Sequence, residues 1–284
     1  MRGDSSTMKV LRPATAAEAV KAYARAKHAV PFAGGTDFMV GWNMGAFNGK
    51  TVLDLWNIAE WRQIRKMKYG LRIGALVTHA QLQAHPIARK EFPLLVQACA
   101  TVGAAQIQNR GTIGGNIANA SPAGDSFPPL AVYEAKIHVI SKAGRRVVPF
   151  LHIFVGVKKT TLMPGELIEA VELPFLPRRP NRQMFRKIGQ RAAQTISKTV
   201  AAAVLFLKKD GAVEDLRVAF GSVAPTVRRL KSVESVSHGR PLTPEVIEEV
   251  CALIDQDISP IDDIRSTREY RLRVSQNLLR FFLS

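Results

Sequence analysis

The chain has 284 residues, 46% hydrophobic and 22% charged, a balance that suits one large or two modest globular domains and excludes a disordered chain. Its net charge of +17 is spread along the sequence without interleaved aromatic residues, which argues against a nucleic-acid-binding module and would equally suit acidic partner subunits or an anionic redox partner. The longest apolar run, Val200 to Leu207, is too short to span a membrane, and the first residues lack the apolar stretch of a secretory signal, so we expect a cytoplasmic protein.

The first predicted elements lead into a glycine pair. Thr15 to His28 is predicted as a helix, because Thr15 stands at an N-cap position and Glu18 follows three residues later, as in a capping box. The next residues, HAVPFAGG, indicate a short strand that enters the glycine pair. Two further strands are predicted for Lys50 to Leu55 and for Leu71 to Thr78.

Helices are predicted for much of the middle of the chain. THAQLQAHP begins one helix, Phe92 to Gly103 forms another, and FPPLAVYEA indicates a short third. The following segment, KIHVISKAGRRVVPF, indicates a β-hairpin with Ala143 and Gly144 at its tip. The two cysteines, Cys99 and Cys251, lie in apolar helical settings, so we expect buried thiols and no disulfide.

A change of composition then divides the chain. The segment PRRPNRQ is rich in proline and arginine, and it predicts a linker between a domain of residues 1–176 and a domain of residues 177–284. The second domain is predicted to contain two strands joined by a tight turn. Two helices follow, Thr243 to Ile254 and Ser266 to Leu283.

Several common functional motifs are absent from the sequence. It contains neither the G-x-G-x-x-G of the dinucleotide fold nor the G-x-x-x-x-G-K-[ST] of a P-loop, and no G-x-S-x-G nucleophile elbow. The six histidines are dispersed, without H-E-x-x-H or a C-x-x-C pair. We therefore expect no metal site built from this chain alone and no catalytic acid or base.

Two glycine pairs carry the functional signal: PFAGGTDF at Pro31 to Phe38, and TIGGNIANASPAGD at Thr112 to Asp125. Paired glycines let backbone N–H groups approach a diphosphate, because no Cβ stands in the way, and Thr36 and Thr112 add hydroxyl donors. Either segment alone fits a structural turn as well as it fits a nucleotide-binding loop. Both together favour opposite walls of one nucleotide site that is not of the Rossmann type, without naming the nucleotide.

Five motifs resemble one known family, and they occur in the family's order over residues 8–284, nearly the whole chain. They are AGGTD, TIGGNIANASPAGD, FRKIGQRAAQTISK, AFGSVAPTVRR and DIRSTREYR. Together they resemble the flavin-binding medium subunit of the molybdenum hydroxylases, which include bacterial xanthine dehydrogenases and carbon monoxide dehydrogenases. Five ordered motifs are far more specific than a single glycine loop.

The resemblance implies an α+β fold, with a two-lobed FAD-binding domain of the PCMH/vanillyl-alcohol-oxidase type followed by a smaller α+β C-terminal domain. FAD would lie extended between the lobes. The residues implied at its pyrophosphate are Ala33, Gly34, Gly35, Thr36 and Asp37, next to Phe38, on one lobe, and Thr112, Gly114, Gly115 and Asn116, around Ile113, on the other. The remaining implied residues are Asn119, Ser121 and Asp125 on the ribose–adenine side, Leu167 or Ile168 against the isoalloxazine, and Lys187 beside the flavin ring.

Lys187 has two interpretations. A cation beside the flavin would stabilise its anionic reduced form, as the resemblance implies. The alternative is a solvated basic residue on an arginine-rich strand.

The resemblance also implies a division of labour among subunits. A molybdopterin-binding large subunit would oxidise the substrate, a small subunit with two [2Fe-2S] clusters would carry electrons onward, and FAD in this chain would pass them to NAD+ or another acceptor. Two distant cysteines cannot hold the additional [4Fe-4S] cluster found in some branches of the family. The substrate stays open among purine, aldehyde, N-heterocycle and carbon monoxide, with purine oxidation of the xanthine type preferred.

A stand-alone FAD-dependent oxidase or reductase with the same two-lobed fold is the alternative function. Oxidases of that fold often tether the flavin through a His or Cys near the first glycine pair, and PFAGGTDF contains neither. Reductases of that fold need a substrate acid, which the sequence does not place.

Overall fold

A computed structural model describes residues 3–26, 28–191 and 194–284. Three units follow one another along the chain: a first lobe, a second lobe and a C-terminal domain. Lys27, near the end of the predicted first helix, and Ala192 and Ala193, in the FRKIGQRAAQTISK motif, lie outside the described residues.

The first lobe is built on a small parallel sheet in the order β1-β3-β2. Its elements are β1 (Lys9–Leu11), α1 (Ala16–Arg25), β2 (Val30–Phe32), α2 (Phe38–Asn43) and β3 (Thr51–Asp54). Helix α1 starts as predicted, because the Thr15 hydroxyl accepts a hydrogen bond from the Glu18 N–H. The Glu18 carboxylate, however, accepts from the N–H of Ala14 rather than from that of Thr15.

The second lobe carries a five-stranded antiparallel sheet in the order β4-β5-β10-β6-β7, with helices packed against it. The predicted hairpin is confirmed as β6 and β7, in which Ser141 pairs with Gly144. The elements of this lobe are β4 (Ile64–Met67), β5 (Gly70–Gly74), α3 (His79–Ala84), α4 (Pro86–Glu91), α5 (Pro93–Thr101), α6 (Ala105–Arg110), α7 (Ile113–Asn119), α8 (Phe127–Val132), β6 (Lys136–Ser141), β7 (Gly144–Pro149), β8 (Phe154–Gly156), β9 (Lys159–Thr160) and β10 (Leu167–Pro174).

The C-terminal domain consists of a four-stranded antiparallel sheet in the order β11-β12-β13-β14 and the helices that cover one of its faces. Two of these helices were predicted, and both are slightly shorter than expected. The elements are β11 (Arg182–Ile188), β12 (Thr199–Leu207), β13 (Val213–Gly221), β14 (Arg228–Arg229), α9 (Lys231–Ser237), α10 (Pro244–Ala252), α11 (Ile254–Asp257) and α12 (Arg268–Leu283).

The two faces of strand β12 belong to different hydrophobic cores. Val200, Val204 and Phe206 pack in one core with residues of the second lobe. Ala201 and Leu205 point the other way, into the core beneath the C-terminal helices. Because side chains alternate along a strand, one apolar segment joins the second lobe to the C-terminal domain.

Both cysteines are buried and unpaired, as predicted, and no disulfide joins them. Within the described ranges, no helix is long and apolar enough to cross a membrane.

Candidate functional site

A cleft of about 620 Å³ lies between the two lobes, a volume typical of cofactor sites. Both glycine segments line it, the first from the first lobe and the second from the second lobe. The cleft brings together most of the residues predicted for the flavin site, namely Ala33, Gly34, Gly35, Thr36, Asp37, Phe38, Thr112, Gly114, Gly115, Asn116, Asn119, Leu167 and Ile168. The predicted residues outside its lining are Ile113, Ser121, Asp125 and Lys187.

The first glycine pair forms an open loop between β2 and α2. A Cβ on Gly34 would lie 1.7 Å from the carbonyl oxygen of Arg110 in the second lobe, so only glycine allows the two backbones to come this close. Gly35 has a φ of +82°, in the left-handed region that favours glycine. The sequence therefore needs both glycines here, one for close approach and one for backbone conformation.

The loop presents a row of backbone donors. Among the residues that the structure describes, no group accepts a hydrogen bond from the N–H of Gly34, Gly35, Thr36 or Asp37. Backbone N–H groups are strong donors that are normally paired, so a row without acceptors beside a cleft suits an anionic ligand.

The second glycine pair does not form an open loop like the first. Gly114 and Gly115 lie in the first turn of helix α7, whose N-cap is the buried Thr112. The Thr112 hydroxyl accepts a hydrogen bond from the Gly115 N–H at 3.0 Å, and the Gly114 N–H donates to the Ala75 carbonyl at 2.9 Å. Because the N–H groups of both glycines already donate to protein acceptors, the expectation of free backbone donors on both walls is wrong for the second wall.

The glycines of α7 instead create space. A Cβ on Gly114 would lie 2.6 Å from the Cβ of Ala75, so this glycine lets the helix pack closely on the segment that follows β5. Gly115 is exposed to the cleft, and a Cβ there would approach only the Thr112 hydroxyl, at 2.8 Å. A side chain at residue 115 would therefore occupy the cleft itself.

Apolar side chains form much of the remaining wall. Leu167 and Ile168, at the start of β10, are 3% and 7% exposed, and both line the cleft. The aromatic and aliphatic residues that join them are Tyr23, Val30, Phe32, Leu55, Trp61 and Leu76.

Lys187 lies behind the wall. Its ammonium donates hydrogen bonds to the Asp125 carboxylate at 2.6 Å and to the Thr101 carbonyl at 2.9 Å, one residue before Val102 in the lining. Both ionic side chains are less than a tenth exposed, so the solvated alternative for Lys187 does not describe this residue. Burial raises the pKa of Asp125 to about 6, and the ammonium of Lys187 opposes that rise.

His79 and Arg110 line or border the cleft without having been predicted. His79 is 1% exposed, its Nδ1 lies 3.4 Å from the Sγ of Cys99, and burial lowers the pKa of the imidazole to about 4. Arg110 stacks on Trp56 of the first lobe and donates to the Gly34 carbonyl. An arginine two residues before TIGGN was the available signal for Arg110, whereas a lone histidine gave none.

The buried thiol beside His79 is unreactive in this setting, because burial raises the pKa of Cys99 far above its ordinary value. In the described part of the chain, no group of three or more His, Cys, Asp or Glu side chains could hold a metal ion. The cleft thus combines backbone donors without acceptors among the described residues with a largely apolar wall.

Comparison with known proteins agrees with this description. Residues 6–176 match the FAD binding domain in molybdopterin dehydrogenase, and residues 184–284 match the CO dehydrogenase flavoprotein C-terminal domain. The chain is 32% identical over 274 residues to the xanthine dehydrogenase FAD-binding subunit of Escherichia coli O157:H7, covering 96% of this chain and 94% of that protein. It is 30% identical over 244 residues to the glyceraldehyde dehydrogenase medium chain of Sulfolobus acidocaldarius, covering 86% and 85%.

Solved structures show the same fold. The structure of carbon monoxide dehydrogenase from Hydrogenophaga pseudoflava contains a chain that superposes with a TM-score of 0.91 at 26% identity, over 97% of this chain and 96% of that one. The α+β fold predicted from the resemblance is therefore confirmed. The protein is an oxidoreductase component with FAD as its cofactor, and it belongs to the family of FAD-binding subunits of the molybdenum hydroxylases.

Proposed function

We propose that the cleft between the lobes holds FAD, with its diphosphate against the first glycine loop. The observation that carries this proposal is the row of N–H groups from Gly34 to Asp37, which have no acceptor among the described residues. A diphosphate supplies acceptor oxygens and negative charge, which such a row would bind directly.

Side chains of the second lobe would complete the binding of the diphosphate. The Thr112 hydroxyl accepts from Gly115 and donates to no group in the described part of the chain, so its hydrogen is available to a ligand. The Asn116 carbonyl oxygen accepts from the Ser126 hydroxyl at 2.6 Å, which leaves the Asn116 amide N–H groups as donors. Leu167 and Ile168 would lie against the isoalloxazine, and Asn119 towards the ribose–adenine side, as the family resemblance implies.

Ser121, Asp125 and Lys187 lie outside the cleft lining, so they would influence bound FAD without lining the cleft. Lys187 is paired with Asp125 in this structure, so its first effect is on the charge of that carboxylate. Because the Asp125 carboxylate offsets the ammonium, the ion pair as a whole would add little net positive charge beside a flavin in the cleft.

The wider role we propose is that of the electron-transfer subunit in a heterotrimer with a molybdopterin-binding large subunit and a [2Fe-2S] small subunit. Bound FAD supplies the capacity to take up two electrons and to pass them to NAD+ or another acceptor. The chain's own residues bind and orient the cofactor. Purines, oxidised as by xanthine dehydrogenases, are the substrate class that we prefer. A xanthine dehydrogenase subunit is among the relatives that match over nearly the full length.

Replacing Gly115 by valine tests the binding site. The added Cβ would lie 2.8 Å from the Thr112 hydroxyl, which would have to shift, and the rest of the side chain would start from the exposed wall of the cleft. We expect a folded chain that does not retain FAD. Gly156→Val is the matched control, because a Cβ on Gly156 has no neighbour within 4 Å and this glycine is outside the cleft lining. The measurement is flavin absorption of the purified proteins, after adding FAD and removing the excess.

Equal FAD content in the Gly115→Val and Gly156→Val proteins would refute the proposed site. The heterotrimer is tested separately, by native purification of the chain with whatever associates with it. Molybdopterin and iron in the same complex would support the electron-transfer role, whereas a flavoprotein active alone would favour the stand-alone oxidase or reductase.

A further inference from the structure

Three segments meet at the mouth of the cleft. They are the first glycine loop, which ends at Asp37, helix α7, which ends at Asn119, and the turn between β8 and β9, which carries Lys158. The Asn119 amide donates to the Asp37 carboxylate at 3.0 Å, and the Lys158 ammonium donates to the Asn119 carbonyl oxygen. The same ammonium lies 3.5 Å from the Asp37 carboxylate. These three side chains, here called the mouth clasp, join the first lobe to the second.

The backbone at Lys158 is held in an unfavourable conformation. Its φ is +57°, in the left-handed region where glycine would sit without strain. Its N–H donates to the carbonyl of Ala120, another left-handed residue, at 3.0 Å. Strained positions of this kind persist where the surroundings fix them, and they concentrate at ligand sites. The left-handed backbone and the hydrogen bond to Ala120, the C-cap of helix α7, fix the turn from which the Lys158 side chain extends.

The negative charge of Asp37 gives the Lys158 ammonium an electrostatic role at the cleft. Its carboxylate follows directly on the row of free N–H groups, so it would stand beside a diphosphate bound there and would repel it. The ammonium of Lys158, at 3.5 Å, offsets the negative charge of Asp37 and adds a favourable charge of its own. Asn119 holds both groups in place.

We propose that Lys158 is a positioning residue for the cofactor: through the mouth clasp it neutralises Asp37 beside the diphosphate and slows the departure of FAD from the cleft. This inference rests on the proposed location of FAD between the lobes. It assigns a role in cofactor retention to the β8–β9 turn, which lies outside the cleft lining.

The test measures the rate at which FAD leaves the full-length protein, followed by the recovery of flavin fluorescence after dilution. In Lys158→Met the ammonium is lost, and we expect release to be about fivefold faster, the upper range for an ion pair whose side chains are 51% and 65% exposed. Lys159→Met is the matched control, since Lys159 is the next residue, is exposed, and takes no part in the mouth clasp. Its release rate should equal that of the wild type.

Lys158→Gly separates this role from a merely structural one. Glycine removes the ammonium and relieves the positive φ, so the apoprotein should melt at the same or a higher temperature while FAD leaves about fivefold faster. If the residue only shaped the turn, stability and FAD retention would both be kept. In an Asp37→Asn background, the effect of Lys158→Met should shrink to less than about threefold, because the carboxylate is gone.

Release from Lys158→Met at the rate of Lys159→Met would overturn the inference, and so would an undiminished effect in the Asp37→Asn background. The Gly115→Val protein distinguishes this failure from that of the proposed site. If Gly115→Val loses FAD while Lys158→Met releases it normally, the cleft holds FAD and the clasp has no such role. If both retain FAD normally, the location of the cofactor is wrong.

Discussion

His79 illustrates how the cleft imposes an electrostatic cost on a single side chain. It begins helix α3 and lines the cleft, yet it is 1% exposed and its ring contacts a neutral thiol rather than a carboxylate. Burial without a negative partner disfavours the imidazolium form, which is why its pKa falls from 6.5 to about 4. The residue is thus neutral in the folded protein over most of the acidic range.

This shift predicts acid destabilisation with a definite sign. Above pH 6.5 His79 is neutral in both states and contributes no pH dependence. As the pH falls below 6.5 the unfolded chain binds the proton first, so the free energy of unfolding decreases, by about 2 to 3 kcal/mol at roughly pH 4.5. Urea unfolding of the wild type and of His79→Gln at neutral and acidic pH measures the difference, and the variant should lose less stability by that amount.

Two comparisons isolate the His79 contribution. Asp125 acts in the opposite direction in the same pH window, because its folded pKa is raised to about 6, but it is present in both proteins and cancels. His238→Gln, at an exposed position, should keep the wild-type decline. A His79→Gln protein with that same decline would show that the buried imidazole does not titrate as described.

At the scale of elements, the cap of helix α7 couples stability to cofactor binding. Thr112→Val keeps the side-chain shape but leaves the Gly115 N–H without its acceptor, which should cost about 1 to 2 kcal/mol of stability. It also removes a proposed diphosphate donor and loosens the turn that lines the cleft, so FAD affinity should fall. Denaturant unfolding and FAD titration of the same protein measure the two effects.

The control is a second threonine cap far from the cleft. Thr243 caps helix α10 in the C-terminal domain by accepting from the Val246 N–H at 3.3 Å. Thr243→Val should lower stability by about 1 kcal/mol and leave FAD affinity unchanged. An equal loss of affinity in both variants would mean that general destabilisation, and not the α7 cap, weakens binding.

The sequence allowed the caps and glycines of the site to be found but not their local geometry. Thr15 and the β6–β7 hairpin were predicted because capping residues and turn residues act over a few positions. The second glycine pair was expected to offer free backbone donors, but the same Thr-x-Gly-Gly sequence caps a helix when the Gly115 N–H donates to the Thr112 hydroxyl. Helices α2 and α6 were missed, because each has only six residues and little periodicity.

Contacts between distant segments could not be predicted from residue pattern alone. Lys187 and Asp125 lie 62 positions apart, and the fold brings β11 against the segment before α8 to make the pair. Likewise, nothing in the sequence of the β8–β9 turn indicates that Lys158 forms an ion pair with Asp37. Such pairs depend on the packing of whole elements, which local propensity does not encode.

At the scale of the whole molecule, the linker after residue 176 divides the sequence but not the hydrophobic core. Phe185, Val204 and Phe206 follow the linker, yet they pack with Leu71, Phe92 and other residues that precede it. Hydrogen bonds reinforce this contact. The Arg229 side chain donates to the Ala131 carbonyl, and the Ser222 N–H donates to the Pro122 carbonyl. The proposed domains 1–176 and 177–284 should therefore depend on each other for stability.

A chain split within the linker tests this dependence. Expressed alone, residues 177–284 would expose the apolar face of β12 that the second lobe covers, so we expect that fragment to aggregate. When it is expressed together with residues 1–176, the apolar face of β12 should be buried again. The two pieces should then co-elute on gel filtration and bind FAD as the intact chain does. A monomeric 177–284 fragment that unfolds cooperatively by itself would contradict the shared core. The linker would then separate two independent folding units, and the cleft, which is lined by residues of 1–176 alone, should bind FAD without the C-terminal domain.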